Sequence, residues 1–436
     1  VSAGDDAARS IADKLPAAVV GQLGSFNDIR VLGDPPSDRR VPRVTGSVES
    51  DGTTTRVSVR LVDGANGAEM FADSFERPAA DGAALVGDAA RAASVAIRQR
   101  TVERQWARLQ SSAHRNEAAI ALYLRGAAHL SLRREDELQR SLALFRQAAT
   151  VEPTFALAHA SAAEALTLLG VFRQVPIMSA LRDARASALK SLELDGNLPE
   201  GHAIFGYIEK LRFDFPAAEK SLRRAIELQP DFVDAHVRLS TVLLQQGSYG
   251  DALVEIKSAL ALEPNSVAAQ SQFAVTLLLS RRYDEAIAEA KGFLKRHPGR
   301  PIGMEIIAEA ELYRGNPAGA ITHFREAIAN EPRGSVDPTL VAGLAMSEAR
   351  AGNVRVATDM LAELQARFEH GSGGTAAEVA AVQLALGRKQ DALDWLTKSV
   401  TTGESEAGYL KINPRWDALR GTPAFEELVR SVRPRT

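Results

Sequence analysis

Four segments of the chain share one pattern, and this pattern decides the fold. They read DFPAAEKSLRRAIELQP at 214–230, SYGDALVEIKSALALEP at 248–264, RYDEAIAEAKGFLKRHP at 282–298 and NPAGAITHFREAIANEP at 316–332. Each segment ends in proline and has alanine twelve residues earlier, so both residues recur every 34 positions. Ala225, Ala259 and Ala327 form a third series, in which Phe293 takes the remaining place. Three series that keep one period indicate an internal structural repeat.

The alanines and the proline of each segment have clear roles in a pair of packed helices. Proline lacks the amide hydrogen and clashes with the preceding turn, so it ends a helix. The alanines lie about two turns apart on one helix face, and their small side chains let a neighbouring helix approach closely. Apolar residues such as Leu222 and Ile226 follow the same helical spacing. Since Gly247 and Gly315 fall at the turn within a unit, the pattern predicts repeated helix–turn–helix units.

A helix–turn–helix unit of 34 residues with these alanines and prolines resembles the tetratricopeptide repeat. The resemblance is best over residues 199–334 and looser elsewhere. We expect residues 172–180 to be an insertion of about nine residues between two helices. The resemblance implies a mainly α protein, an α-solenoid of about eight tetratricopeptide-like helix pairs between residues 116 and 400.

The N-terminal part of the chain predicts a small α+β module in front of this solenoid. Val57, Val59 and Leu61 alternate with polar residues, which indicates a strand with one buried face. Asp51-Gly52 is a strong hairpin turn signal. The predicted helices are 5–23 and 81–110, and the predicted strands are 29–32, 43–49, 55–62 and 69–75.

Two further stretches resemble parts of bacterial signalling proteins. Gly46-Ser47-Val48, followed by RVSVRLVD at 56–63 and Asn66-Gly67, resembles the TolB N-terminal-like module. At the other end, YLKINPRWDALR at 409–420 resembles the capping segment of the repeat arrays that follow this module. We therefore expect the module at 1–80, a connecting helix at 81–114, the tetratricopeptide superhelix at 115–403 and a capping segment at 404–436.

The joint resemblance implies a biological setting for the chain. Related arrangements belong to adenylate cyclases, serine/threonine kinases and CadC-like membrane-bound activators. The implied role is the sensory or scaffolding region of such a protein, on the periplasmic side of the membrane. It also implies a membrane tether, or a catalytic or DNA-binding domain, upstream of Val1. A cytoplasmic location stays open as the alternative.

Composition and motifs exclude several classes of function. The net charge of −3 provides no overall basic field for nucleic acid. The chain has no cysteine, so disulfides and thiolate chemistry are excluded. His159, His202 and His236 occupy one position of successive first helices, which predicts a structural role rather than a metal site. We therefore expect no cofactor, no metal and no enzymatic activity.

The first helices of the repeats are the candidate binding surface, since in such solenoids they line a groove that receives a peptide or helix. The lysines and asparagines that clamp a C-terminal carboxylate are absent at the groove positions, so a basic or uncharged protein or peptide partner fits better. A groove filled by the chain itself is the other outcome. The predicted groove residues are Glu200, Ala203, Tyr207, Asp234, Thr241, Ser271, Glu305 and Glu309.

Two alternative functions stay open at this point. One is a cytoplasmic assembly scaffold whose repeats organise subunits or associate with each other. The other is an enzyme with a site in the N-terminal module, where Asp51, Asp63, Glu69 and Asp73 are the obvious acids. Asp51 and Asp63 lie in predicted turns, where aspartate is favoured for backbone reasons.

Overall fold

The fold is taken from a computed structural model of the chain. It describes residues 11, 13–14, 43–51, 53–62, 69–78, 81, 84–90, 116–172, 177–331, 336–371, 374–432 and 434. These residues fall into two compact units, one within 1–196 and the other within 197–436. The domain boundaries expected from the sequence stay predictions.

A three-stranded antiparallel sheet lies at the start of the first unit. Its strands are β1 (Arg43–Ser50), β2 (Thr54–Val62) and β3 (Glu69–Pro78), in that order across the sheet. Val57 and Val59 are buried, so the predicted alternation along β2 is confirmed. The Asp51 carboxylate accepts hydrogen bonds from the Thr53 and Thr54 amides at 2.9 and 2.8 Å. Asp51 therefore shapes the turn, as its position in the sequence predicts.

Helical residues 84–90 complete the described core of this module. Leu85 and Ala89 are fully buried and pack with Val57 and Val59. This agrees with the predicted helix 81–110 over the described residues. Strand 29–32 and helix 5–23, except for three helical residues, lie outside the described residues, as does Asp63.

Two helix pairs follow in the first unit. Their helices are α1 (Glu117–Ser131), α2 (Glu135–Val151), α3 (Ala156–Val171) and α4 (Ile177–Leu194). The prediction that residues 172–180 insert between two helices is wrong at its C-terminal end, because 177–180 are the first four residues of α4. Gly170 explains how α3 and α4 fit there: a Cβ atom at this position would lie 2.7 Å from Ala180 Cβ, so only glycine allows this approach.

Six more pairs form the second unit, so the described residues contain the eight pairs that the sequence predicts. The helices are α5 (Pro199–Leu211), α6 (Phe215–Leu228), α7 (Val233–Gln246), α8 (Tyr249–Leu262), α9 (Val267–Leu279), α10 (Tyr283–Arg296), α11 (Pro301–Tyr313), α12 (Pro317–Ala329), α13 (Pro338–Arg350), α14 (Val354–Glu369), α15 (Ala376–Ala385) and α16 (Lys389–Thr402). After them come two short 3-10 helices, Ser405–Tyr409 and Pro414–Leu419, and helix α17 (Pro423–Ser431).

The alanine series lie at the contact between paired helices. Ala218, Ala252, Ala286 and Ala320 are all 0% exposed, and the second series is equally buried, with Phe293 at 1%. Because methyl groups occupy seven of these eight positions, the backbones of paired helices approach closely there. The predicted role of the 34-residue period is confirmed.

One polar position in the first helices braces the turn between pairs. His236 Nε2 donates a hydrogen bond to the Pro230 carbonyl at 3.1 Å, and Gln270 Nε2 makes the same bond to the Pro264 carbonyl at 2.5 Å. His236 Nδ1 lies 2.7 Å from a Glu255 carboxylate oxygen. This hydrogen bond raises the pKa of His236 despite its burial. The predicted structural role of this histidine is confirmed.

We predict that His236→Gln preserves most of the stability that His236→Ala loses. Glutamine at the equivalent position 270 already bonds the proline carbonyl, whereas alanine leaves two polar groups without a partner, at about 1–3 kcal/mol. Chemical denaturation of the three proteins measures the difference. Equal midpoints for the two variants would contradict the bracing role.

The same variants test the charge on His236. Because the folded pKa is raised, the stabilisation is fully present below the unfolded pKa, near 6.5, and is lost as pH rises through the folded pKa. His236→Gln should lack this decline, since glutamine does not titrate. Denaturation midpoints between about pH 5 and 9 measure it.

Candidate functional site

In the 197–436 unit, the C-terminal segment lies against the first helices of the pairs. We define this segment as residues 404–432, and the inner face as the face formed by α5, α7, α9, α11, α13 and α15. Ile412 is buried in one cluster with Leu243 and Leu244 of α7. Leu410 and Trp416 are buried in another, with residues of α11 to α16. The chain itself therefore fills part of the predicted groove.

Three polar contacts hold the C-terminal segment at the ends of successive inner helices. Lys411 Nζ donates to the Gln246 carbonyl at the end of α7, at 2.8 Å. Arg281, just after α9, makes a two-pronged ion pair with Asp417 at 2.5 and 2.7 Å. Arg415 donates to Glu309 of α11 at 2.7 Å, and both side chains are largely buried. Paired charges that are removed from water in this way are expensive to separate.

A strained turn position contacts the same segment. Phe213, Gly247, Arg281 and Gly315 follow successive first helices at intervals of 34 residues, with φ values of 65°, 88°, 64° and 90°. Glycine adopts this left-handed conformation freely, whereas a residue with a Cβ atom pays about 1–2 kcal/mol. Both non-glycine residues contact the segment: Arg281 pairs with Asp417, and a Cβ at Gly408 would lie 3.4 Å from the Phe213 ring.

The sequence reasoning missed this position, although a signal for it was present. Gly247 and Gly315 are identified as turn residues, and Phe213 and Arg281 occupy the same place in the repeat. A bulky residue in a turn that favours glycine points to a function other than turn formation. Here that function is contact with the C-terminal segment.

Two of the predicted groove residues, Tyr207 and Glu309, make side-chain contacts within the 197–436 unit. The Arg238 guanidinium lies over the Tyr207 ring, 4.9 Å from its centroid. Glu309 accepts hydrogen bonds from Arg415 and from the Tyr313 hydroxyl, the latter at 3.0 Å. Glu309 therefore contacts the C-terminal segment of the chain itself, and a role of Tyr207 in partner binding stays a prediction.

The other predicted groove residues are spread along the first helices. Glu200 and Asp234 lie in the first turns of α5 and α7. The Thr241 and Ser271 hydroxyls each donate to a backbone carbonyl of their own helix, at 3.1 Å. Ala203 is buried in the helix-packing core rather than facing the groove, because it lies in the cluster of Ala218 and Leu222. The role of the polar residues in partner binding stays a prediction.

Carboxylates collect on the inner face around α11. Burial raises the pKa of Glu305 well above its usual range, and the nearby charges of Glu309 and Asp337 add to this effect. Arg415 opposes it, but its guanidinium already pairs with Glu309. At the other end of the face, burial lowers the pKa of Lys210 to about 8, and Glu406 of the C-terminal segment opposes that shift.

We predict that Glu305→Gln stabilises the protein at neutral and alkaline pH and has little effect near pH 4. The raised folded pKa means that the unfolded chain loses its proton first, so the wild-type protein loses stability as pH rises above about 4.3. Glutamine keeps the shape and removes this penalty. Denaturation midpoints at several pH values measure the difference, and parallel profiles for the two proteins would contradict it.

We predict that Arg281→Gly loosens the C-terminal segment without destabilising the repeats. Glycine removes about 1 kcal/mol of backbone strain, which offsets the loss of a half-exposed ion pair worth at most about 1 kcal/mol. Hydrogen exchange of the Ile412 and Asn413 amides, which donate to the Tyr409 carbonyl, should accelerate. The matched variant Asp417→Asn should accelerate exchange too, yet lower the denaturation midpoint because the strain remains. Unchanged exchange in both variants would contradict the anchoring role.

Two cavities remain between the C-terminal segment and the repeats. The first has a volume of about 370 Å³ and is lined by arginine and tyrosine side chains together with apolar residues. The second, of about 520 Å³, lies near Phe215 and Gln245. Among the residues that the structure describes, no group of histidine and acidic side chains could hold a metal ion. None of the described helices is both long and apolar enough to span a membrane.

Comparison with known families identifies the repeats. Two tetratricopeptide-repeat family models match the sequence, one over residues 214–267 and the other over residues 243–302. The chain therefore contains tetratricopeptide repeats, as the 34-residue period predicts, and such repeats generally mediate protein–protein interactions. No curated protein matches the chain.

Several solved structures are similar to this chain. A tetratricopeptide repeat protein from Parabacteroides merdae ATCC 43184 is 15% identical, with a TM-score of 0.41, and the match covers 73% of this chain and 99% of that one. PilW, a widely conserved type IV pilus biogenesis factor, is 18% identical with a TM-score of 0.41, over 50% and 97% of the two chains. YrrB, described as a tetratricopeptide repeat protein with an unusual peptide-binding site, is 22% identical with a TM-score of 0.32, over 44% and 93%.

Proposed function

We propose that this chain is a non-enzymatic binding module that holds a basic or uncharged protein segment on part of its inner face. The part in question is the acidic strip, which we define as Glu200, Asp234, Ser271 and Glu305. The observation that carries the proposal is the position of the C-terminal segment. Its anchors are Gln246, Arg281 and Glu309, which lie toward the C-terminal ends of the inner helices.

The length of the inner helices leaves room beside this segment. From Gln246 back to Asp234 is twelve residues of α7, or about 18 Å along a helix axis. Asp234 is exposed and lies in the first turn of α7, at the end of this helix opposite the contact of Lys411 with Gln246. At α7 this length exceeds the width of a helical partner, about 10 Å, so a partner can lie beside the segment at this helix.

The charge of the acidic strip favours a basic or uncharged partner. Glu200 and Asp234 supply the negative charge of the strip, whereas the raised pKa of Glu305 keeps its carboxyl group largely protonated at neutral pH. An acidic partner would be repelled there, whereas lysine or arginine side chains would gain charge-assisted hydrogen bonds.

A displayed peptide library selected on the full chain tests this proposal. Basic or uncharged peptides should be enriched, and Asp234→Lys should weaken the binding of enriched peptides about fivefold or more, since one favourable charge pair becomes a repulsive one. Asp251→Lys is the matched control, because Asp251 is also an exposed acid in a first helical turn but belongs to the second helix α8. Enrichment of acidic peptides would contradict the proposal, and so would an equal loss of peptide binding in the Asp234→Lys and Asp251→Lys variants.

We propose further that the module serves as the sensory or regulatory region of a bacterial signalling protein outside the cytoplasm. Support comes from the resemblance of residues 46–67 to the TolB N-terminal-like module and of residues 409–420 to the capping segment of the same proteins. The full reading frame upstream of Val1, together with reporter fusions in the native host, tests it. A membrane helix followed by an exported reporter is expected. A cytoplasmic reporter and no effector domain would favour the alternative of an assembly scaffold.

A further inference from the structure

The first cavity combines cationic, phenolic and apolar side chains. It lies between the C-terminal segment and the inner helices α11, α13 and α15. Arg281, Arg350 and Arg415 contribute its positive charge, and Tyr283 and Tyr313 stand side by side with ring centroids 6.2 Å apart. The apolar part of the lining is Met346, Ala381, Leu384, Ala385, Pro414 and Ala418. One cavity therefore presents a polar end and an apolar wall.

The charges in the cavity do not cancel. Arg281 pairs with Asp417, and Arg415 pairs with Glu309. In the described part of the chain, Arg350 has no carboxylate partner, and its guanidinium donates a hydrogen bond to the Leu312 carbonyl at 3.3 Å. Arg415 Nε is buried and has no hydrogen-bond acceptor among the described residues. The Arg350 guanidinium is exposed and retains free donors, so an anion in the cavity would gain charge-assisted hydrogen bonds there.

We propose that this cavity, which we call the arginine cavity, binds a small organic carboxylate with a short apolar body. A planar carboxylate matches the fork of a guanidinium, and the methionine, leucine and alanine side chains accommodate an alkyl or aryl group. The volume of about 370 Å³ lies within the range of ordinary small-molecule sites. Arg281 already binds both carboxylate oxygens of Asp417. This pair shows that the arginines of the cavity accept a carboxylate group.

The arginine cavity and the acidic strip are separate sites of opposite charge. The ligand of the arginine cavity contacts the C-terminal segment through Arg415, so its binding stabilises the docked segment. This proposal does not depend on partner binding at the acidic strip. Asp234→Lys should therefore leave carboxylate binding unchanged, and a failure at one site is distinguishable from a failure at the other.

Calorimetric titration of the full chain with sodium hexanoate, at constant ionic strength, tests the site. Hexanoate should bind at one site per chain, and hexanamide, its neutral isostere, should bind at least about tenfold more weakly because it lacks the charge. A second titration uses N-acetylleucine, which mimics the C-terminal residue of a peptide, whereas hexanoate mimics a short fatty acid. The ligand that binds more tightly identifies the source of the carboxylate, and binding of either one supports the site. Binding of inorganic phosphate but not of hexanoate would overturn the proposed ligand class.

Two variants assign the binding to the arginine cavity. Arg350→Gln should weaken hexanoate binding about tenfold, whereas Arg350→Lys, which keeps the charge, should weaken it less. Arg355→Gln is the matched control, because Arg355 is an exposed arginine near the start of α14 and does not line the cavity. Asp417→Asn should bind hexanoate several-fold more tightly, because the Arg281 guanidinium becomes available and the segment stays docked through Leu410 and Trp416. Equal affinity in the wild-type, Arg350→Gln and Asp417→Asn proteins would overturn the proposal.

Discussion

Close contact between paired helices at the alanine series is the constraint on which the second unit depends. Ala218 and its equivalents have no exposed surface, and glycine brings the helices closer still where Gly206 faces Leu222, whose Cγ would lie 2.7 Å from a Cβ. A larger side chain would push the helices apart, at about 1–3 kcal/mol for each overpacked site. Because each pair rests on the next, such a shift would also displace the ends of the inner helices, where the C-terminal segment is anchored.

The C-terminal segment closes the repeats in a way that combines apolar burial with local strain. Trp416, Leu410 and Ile412 are buried. Burial of a large apolar side chain of this kind stabilises the folded state by about 1.5–3 kcal/mol. The strain at Phe213 and Arg281 is smaller, about 1–2 kcal/mol each. The free energy gained by burying these side chains is larger than the cost of the backbone strain, so the segment stays docked in the folded unit. The Arg281 contact with Asp417 adds to the docking of the segment, but it contributes less than the buried apolar side chains do.

The helix pairs could be predicted from the sequence, whereas the contacts that dock the C-terminal segment could not. Helical spacing, buried alanines and prolines act within about 34 residues, so a local pattern such as Ala252 to Pro264 carries them. The contacts of the segment join residues 165 positions apart for Lys411 and Gln246, and 136 apart for Arg281 and Asp417. No local period relates such residues. The insertion before α4 was misplaced for a different reason: nothing in residues 177–180 separates a loop from an early helical turn.

The docked segment also changes what the inner face can do. An open groove would offer one long surface of mixed charge, suited to a single extended partner. With Arg415 and Asp417 in place, the segment pairs with Glu309 and Arg281 and divides this surface by charge. Carboxylates remain on the side of the helix N-termini, and arginines gather on the side of the segment. Because Arg350 of the cavity and Asp234 of the acidic strip carry opposite charges, each region favours a ligand of the charge that the other disfavours.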